Sequence, residues 1–171
     1  SCHNNNNNNN IECKNSSNKN NMKLWFDHLQ RGSKLTIKDL YTELHVINHG
    51  SQGTKVVSGI NKKNGKRVAI KVIIKKNIID KRRLSQEINI MNVLSNKQPC
   101  IVKLYDVFES KKNLYLIMEY CETDLMQILS DNYKYKKVSQ SLTCHIMHQI
   151  ARAVDFMHRK HIVHRDLKPE N

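Results

Sequence analysis

The segment His164-Arg165-Asp166-Leu167-Lys168-Pro169-Glu170-Asn171 carries the densest group of chemically active side chains in this sequence. Its aspartate could accept a proton from a hydroxyl group, and its lysine could neutralise a transferring anion. Its asparagine could bind a hard cation through the amide oxygen. These roles, assigned to Asp166, Lys168 and Asn171, together suit the transfer of a phosphoryl group.

A second motif, Val68-Ala69-Ile70-Lys71, lies upstream of this segment. The two motifs together resemble the nucleotide-binding strand and the catalytic loop of the protein kinase family, and the resemblance covers about residues 41–171. It implies that Lys71 holds the α- and β-phosphates of ATP and pairs with a glutamate on the following helix. It also implies that Ala69 lies at the nucleotide and that His164 has a structural role.

The helix after this strand supplies a candidate for that glutamate. Apolar residues recur at three- and four-residue steps and predict a helix over Ile79–Ser95. Glu87 lies on the same stripe, where an unpaired carboxylate facing the sheet would be costly, so Lys71 is its expected partner. The alternative is a Glu87 that turns outward to solvent and to nearby basic side chains.

Five short runs rich in β-branched residues predict strands, and Asn64-Gly65 between the second and third is a strong hairpin signal. The runs are Leu44–Ile47, Val56–Ile60, Val68–Ile74, Ile101–Phe108 and Leu114–Tyr120. The expected fold class is α+β. It comprises a kinase-like small lobe, with a five-stranded antiparallel sheet and one helix, followed by the first helices of an incomplete helical large lobe.

The region beyond the last strand is predicted to be helical. We expect a short helix over Leu125–Leu129, then a polar loop around residues 131–137. A long helix should begin after Ser139 as its N-cap and end near His158–His161, with an irregular segment behind it. The apolar stripe of the long helix is Leu142, Ile146, Ile150, Val154 and Met157.

The segment Leu114–Cys121 resembles the last small-lobe strand of a kinase and the hinge that follows it. The resemblance implies that Met118 guards the back of the nucleotide pocket. It also implies that Glu119 and Cys121 contact adenine through backbone groups, and that Asp124 contacts the ribose hydroxyls. Cys121 read without the resemblance is a small apolar residue with no special reactivity.

The glycine-rich loop departs from the family pattern. Aligned with that pattern, Asn48 stands in place of the first glycine, and Gly50 and Gly53 occupy the other two positions. The valine expected to cover adenine appears one residue late, as Val56. We therefore expect a weaker grip on ATP or a different loop tip, while Gly50 and Gly53 taken alone are ordinary turn glycines.

Three regions divide the chain. Residues 1–35 are rich in asparagine and are predicted to be a disordered tail. Residues 36–120 are the small lobe, and residues 121–171 are the hinge and the start of the large lobe. Because the chain stops before an Asp-Phe-Gly motif, we expect a fragment that is inactive alone and comes from an active kinase.

The chain has 29 lysines and arginines against 15 acidic residues, a net charge of +14. These basic residues are scattered without aromatic interleaving, so we expect no nucleic-acid partner. No apolar run is long enough to span a bilayer, so we expect no membrane partner. The five cysteines lack metal-site spacing, which favours reduced thiols and an intracellular, cytoplasmic or nuclear protein.

The expected function is transfer of the ATP γ-phosphate to serine or threonine hydroxyls of protein substrates, with Mg²⁺ as the metal. Lys168, two residues after Asp166, is typical of serine/threonine kinases. The alternative is a pseudokinase or a scaffold that binds partners without catalysis. The stretch Glu122–Leu125 resembles cyclin-dependent and mitogen-activated kinases, whereas the basic run before the predicted helix resembles calcium-regulated ones. The oligomeric state is left open.

Overall fold

The computed structural model describes residues 36–50, 53–95, 97–134 and 138–169. All of them lie in one compact unit, Gly32–Asn171. The predicted asparagine-rich tail and the candidate metal ligand Asn171 lie outside the described residues. Their predictions therefore stay predictions.

A five-stranded antiparallel sheet forms the centre of the described fold, as predicted. Its strands are β1 (Tyr41–His49), β2 (Lys55–Asn61), β3 (Arg67–Ile74), β4 (Leu104–Glu109) and β5 (Asn113–Glu119). Their order in the sheet is β1-β2-β3-β5-β4. Strand β3, which carries Lys71, is therefore central, and strands β1 and β4 are the edges.

The connection between β2 and β3 is the tight turn that Asn64-Gly65 predicts. The Asn64 side-chain oxygen accepts a hydrogen bond from the Lys66 amide at 3.0 Å. Gly65 has φ +67, a left-handed conformation that glycine adopts without strain. The turn fixes the register of the hairpin, in which Val56 pairs with Lys71.

Apolar side chains are buried on both faces of the sheet, and one core cluster lies on the face opposite to Lys71. Ile70 and Leu116 have no exposed surface, and Ile117 is 2% exposed. A short helix that the sequence did not predict, α1 (Ile37–Leu40), packs against this core. The core cluster consists of Tyr41, Val57, Val68, Ile70, Val72, Tyr115 and Ile117.

Helix α2 (Lys81–Leu94) follows β3 after a single 3₁₀ turn, Lys75–Asn77. It begins two residues later than predicted because the Asp80 carboxylate caps it. One oxygen of that carboxylate accepts hydrogen bonds from the Arg82 and Arg83 amides at 2.9 and 3.0 Å. Ile79, predicted to open the helix, is 86% exposed in the preceding segment.

Two helices follow the sheet. Helix α3 (Leu125–Lys134) is longer than predicted and continues through positions expected to form a loop, because no glycine or proline interrupts it. Helix α4 (Gln140–His158) begins and ends where the sequence predicts. The Ser139 hydroxyl accepts the Leu142 amide at 3.1 Å and caps it.

Helix α4 keeps much of its predicted apolar stripe accessible. Of its residues only Met157 is buried, and the other members of the stripe are half-buried. Within the described ranges, no helix combines the length and the apolar character that crossing a membrane requires.

Candidate active site

The face of the sheet that carries Lys71 is defined by strand register. Residues paired across antiparallel strands place their side chains on the same face. Lys71 pairs with Val56 on one side and Leu116 on the other, and Val56 also pairs with Asn48. These four side chains therefore form one row across the sheet.

A second row lies beside the first on the same face. Ala69 pairs with Ser58 on β2 and with Met118 on β5. Ala69 and Ser58 are buried, and Met118 is half-buried. The sequence did not single out Ser58, although strict alternation from Val56 along β2 could have placed it on this face.

Lys71 and Glu87 form a direct ion pair. The Lys71 Nζ atom donates a hydrogen bond to Glu87 Oε1 at 2.7 Å, which joins the central strand to helix α2. This is the partner that the sequence predicts for Glu87. The alternative, a Glu87 turned outward to solvent and to nearby basic side chains, is wrong about the partner, because the carboxylate bonds to Lys71 although its side chain remains partly exposed.

The sequence predicted that burial of the Glu87 carboxylate drives this pairing, and that reason is wrong. The Glu87 side chain retains 46% of its accessible surface and that of Lys71 retains 30%, so the carboxylate is not buried against the sheet. The pair is held by its short charged hydrogen bond and by the geometry of α2 over β3. The cost of an unpaired buried carboxylate contributes little here.

The described part of the glycine-rich loop closes on itself. The Gly50 amide donates to the Thr54 carbonyl at 2.9 Å, so in this conformation it does not point toward a ligand. Gly53 has φ +75, and a Cβ atom there would lie 2.9 Å from the Asn77 side-chain nitrogen. Despite the late position of Val56 in the sequence, its register opposite Lys71 is regular.

The end of β5 and the hinge are tied to the segment before β4. The Glu119 amide donates to the Lys103 carbonyl at 2.8 Å, and Lys103 Nζ lies 3.7 Å from Glu119 Oε1. The Glu119 amide is therefore engaged within the protein in this conformation. Burial, and next the Glu119 carboxylate, raise the pKa of the Cys121 thiol, which remains protonated at neutral pH.

Asp124 has a structural role that the resemblance did not reveal. Its Oδ1 atom accepts a hydrogen bond from the Gln127 amide at 2.7 Å and caps helix α3. An aspartate directly before an apolar helical run is a sequence signal for such a cap. The ribose role predicted for Asp124 would have to be shared with this cap.

The loop after α4 brings Asp166 and Lys168 together. Lys168 Nζ lies 3.1 Å from Asp166 Oδ2, and both side chains are about half exposed or more. Arg165 has φ +68, a left-handed backbone conformation, and the chain bends there, next to the aspartate. The His164 ring accepts the Asp166 amide at 3.4 Å through Nδ1, a long hydrogen bond that agrees with a structural role.

A metal ion would find part of its ligand set here. Asp166 offers a hard carboxylate oxygen, which suits Mg²⁺. Within the described ranges, no three histidine, cysteine or acidic side chains cluster as a complete metal site. A magnesium site therefore depends on Asn171, which lies beyond them, and on the phosphates of a bound nucleotide.

Comparison with known proteins agrees with this architecture. Residues 41–171 match the family model described as protein kinase domain. The chain is 38% identical over 169 residues to calcium-dependent protein kinase 5 of Plasmodium berghei, covering 95% of this chain and 29% of that protein. It is 35% identical over 156 residues to an Aurora kinase of Debaryomyces hansenii, covering 87% and 36%.

A third relative is the carbon catabolite-derepressing protein kinase of Saccharomyces cerevisiae. It is 35% identical over 134 residues, which cover 77% of this chain and 20% of the relative. The chain thus spans little more than a third, or less, of the length of each of these relatives. The sheet, the Lys71–Glu87 pair and the family match lead to one assignment. The chain belongs to the protein kinase family, with residues 41–171 forming part of its kinase domain.

Proposed function

We propose that the protein containing this chain transfers the γ-phosphate of ATP to serine or threonine hydroxyls of protein substrates. The observation that carries this proposal is the 2.7 Å contact between Lys71 on the central strand and Glu87 on helix α2. An amine fixed in this way can hold a triphosphate. The same kinase-family region also contains the Asp166–Lys168 pair.

Lys71 and Glu87 supply the nucleotide end of this mechanism. The Lys71 amine carries a positive charge toward the phosphates, and Glu87 restricts where that charge can lie. Since both side chains remain accessible, a nucleotide can approach the amine without breaking a buried ion pair. We propose that Lys71 holds the α- and β-phosphates.

Asp166 and Lys168 supply the acceptor end. The Asp166 carboxylate accepts the proton of the substrate hydroxyl as the oxygen forms its bond to the γ-phosphorus and ADP departs. Lys168, already 3.1 Å from that carboxylate, supplies positive charge to the transferring phosphoryl group. Mg²⁺, when bound, neutralises phosphate charge, and Asn171 and the nucleotide would hold it.

The adenine and ribose would occupy the face beneath β1, β2 and β5. Its apolar wall would be formed by Val56, Ala69 and Met118, which share this face by register. The Glu119 carbonyl and the Cys121 backbone would contact the adenine edge. The remaining candidates are Asn48, Gly50 and Gly53 at the phosphates and Asp124 at the ribose.

The test is transfer of labelled γ-phosphate to a mixture of serine- and threonine-containing peptides. The assay uses this chain and a longer polypeptide that continues through the family's large lobe. We expect transfer from the longer polypeptide and very little from the chain. Asp166→Asn and Lys71→Met should each lower the rate by about 100-fold or more, whereas Lys76→Met, a change at an exposed lysine, should not.

Two results would overturn the proposal. One is an equally low rate in the chain and in the longer polypeptide. The other is a transfer rate that Asp166→Asn leaves unchanged, because the proton acceptor would then lie elsewhere.

A pseudokinase or scaffold is the second candidate, and one observation favours it. The Gly50 amide is engaged by Thr54, and Asn48 replaces a family glycine, so the loop is poorly arranged for phosphate. A catalytically silent protein would bind protein partners without transferring phosphate. The phosphate-transfer assay on the longer polypeptide separates the two, since a silent protein can bind ATP and the kinase proposal requires transfer.

Three organisational proposals accompany the kinase activity. Residues 36–120 act as the small lobe, residues 121–171 as the hinge and the beginning of the large lobe, and residues 1–35 as a tail.

An intracellular location, in cytoplasm or nucleus, fits an enzyme that uses ATP and protein substrates. Fractionation of cells that express the tagged protein checks the location.

A further inference from the structure

A cavity lies on the side of the hinge next to the segment that precedes β4. Its volume is about 300 Å³, and Gln149 of helix α4 lines it together with Glu119 and Tyr120. Two further residues of its wall are Cys100 and Cys121, one from each side of the hinge junction. Both thiols are free. The proposed phosphoryl transfer uses neither of them.

The two cysteines flank a point where the hinge and the segment before β4 are hydrogen-bonded to each other. Leu104 pairs with Met118, and the Glu119 amide bonds to the Lys103 carbonyl, so the two segments stay in contact as far as Glu119, the last residue of β5. Cys121 follows Glu119 by two residues and Cys100 precedes Lys103 by three, so each cysteine lies within three residues of this hydrogen bond.

A turn explains why both thiols reach the same cavity. In a continuing strand, Cys100 and Ile101 would point to opposite faces. The Ile101 amide instead donates to the Gln98 carbonyl at 3.1 Å, so the chain turns here and the strand alternation stops. Cys100 therefore lines the wall that Cys121 also lines.

We propose that Cys100 and Cys121 form a thiol pair that closes to an intramolecular disulfide when a peroxide oxidises the protein. One thiolate attacks an oxygen of the peroxide and the O–O bond breaks: that oxygen stays on the sulfur as a sulfenic acid, and the other leaves as water or an alcohol. The second thiolate attacks that sulfur, forms the S–S bond and releases water. Two thiols lose two protons and two electrons, and one peroxide gains them.

The bond would fasten the hinge to the segment before β4. At present a backbone hydrogen bond and the Lys103–Glu119 pair make this connection. A covalent link would close the loop formed by β4 and β5 and limit movement of the hinge. This consequence concerns hinge rigidity and holds whether or not the chain belongs to an active kinase.

The test uses the full chain with Cys2, Cys13 and Cys144 replaced by serine, so that only the proposed pair remains. Because the Cys121 pKa is raised, the protein is treated with hydrogen peroxide at mildly alkaline pH, where more thiolate is present. A matched control keeps Cys121 and Cys144 and carries Cys100→Ser. Both proteins are digested without reduction and their peptides are analysed by mass spectrometry.

We expect a cross-linked peptide containing Cys100 and Cys121 whose mass is lower by two hydrogens than the sum of its parts. It should disappear on reduction and should have no counterpart in the control. The melting temperature of the oxidised pair variant should rise by about 5 °C or more. If the serine substitutions disturb folding, the wild-type chain is treated with peroxide and digested in the same way. The presence or absence of the Cys100–Cys121 peptide in that digest then decides the proposal.

The proposal is overturned if peroxide yields only separate sulfenic or sulfinic acids at Cys100 and Cys121. It is also overturned if their only disulfides join different molecules, or if the control forms its Cys121–Cys144 link as readily. Phosphotransfer is not measured, so failure here does not bear on the proposed kinase activity.

Discussion

The amine of Lys71 shows how one contact can matter for chemistry and little for stability. It lies 2.7 Å from Glu87 Oε1, yet the Lys71 side chain keeps 30% of its surface exposed to water and the Glu87 side chain keeps 46%. Ion pairs with this accessibility contribute less than about 1 kcal/mol to folding. The pair is thus better placed to position a ligand than to hold the fold together.

We therefore predict that Lys71→Met changes the free energy of unfolding by less than about 1 kcal/mol while abolishing saturable ATP binding. Urea denaturation and a nucleotide titration measure the two effects on the same sample. Lys75→Met is the matched control, because Lys75 also forms a 2.7 Å ion pair, with Glu109. A loss of several kcal/mol in Lys71→Met alone would indicate a structural role for the lysine.

Two glycines with positive φ allow strain to be separated from function. Gly53 has φ +75 in the glycine-rich loop, and Gly65 has φ +67 in the β2–β3 turn, where an added Cβ atom meets open space. Alanine at either position should lower stability by about 1 kcal/mol, because the left-handed conformation disfavours a side chain.

Only Gly53→Ala should also weaken ATP binding, by several-fold, since the loop at Gly53 is proposed to approach the phosphates. Calorimetric titration with ATP and Mg²⁺ compares the affinities of the two variants. Their unfolding curves are measured first, to show that both are folded at the temperature of the titration. Equal affinities in Gly53→Ala and Gly65→Ala would remove Gly53 from the binding site.

At the scale of elements, the start of helix α2 determines where Glu87 stands. The Asp80 carboxylate accepts the Arg82 and Arg83 amides and begins the helix. Asp80→Ala should lower stability by about 1 kcal/mol, whereas Asp80→Asn, which keeps an accepting oxygen, should cost much less. Thermal unfolding by circular dichroism checks this order, and equal losses in both variants would contradict the capping role.

Elements could be predicted where the signal was local. The Asn64-Gly65 turn, the Ser139 cap and the spacing of apolar residues in α4 depend on neighbouring residues, and each appears as expected. The extension of α3 was missed because a polar composition was taken to indicate a loop. Helix α1 was missed because it has only one turn, which packs against residues distant in sequence.

At the scale of the whole molecule, the degree of burial separates positions that matter for stability from those that do not. Ile70 on the central strand has no exposed surface, whereas Ile79 is 86% exposed. Ile70→Ala should cost about 2–5 kcal/mol, and Ile79→Ala should change stability by less than about 0.5 kcal/mol. Urea titration of both variants tests this, and similar midpoints would contradict the location of the core.

The sequence predicted which residues form the candidate site better than it predicted their exposure and hydrogen bonds. The motif resemblance identified Lys71 and Asp166, and helical spacing identified Glu87 as the acid opposite the lysine. The accessibility of that acid, the cap made by Asp124 and the closed contact between Gly50 and Thr54 were not predictable. Each depends on packing or backbone conformation that no short sequence pattern records.

The central claim is that Lys71 on the sheet and Lys168 in the catalytic loop face the phosphates of one nucleotide. An acyl phosphate of ATP tests this directly, because it transfers its acyl group to lysine amines beside the bound phosphates. In a polypeptide that includes the large lobe, we predict that Lys71 and Lys168 are labelled and that excess ATP with Mg²⁺ protects both. Labelling that ATP does not prevent, or labelling of exposed lysines such as Lys76 to the same extent, would contradict the claim.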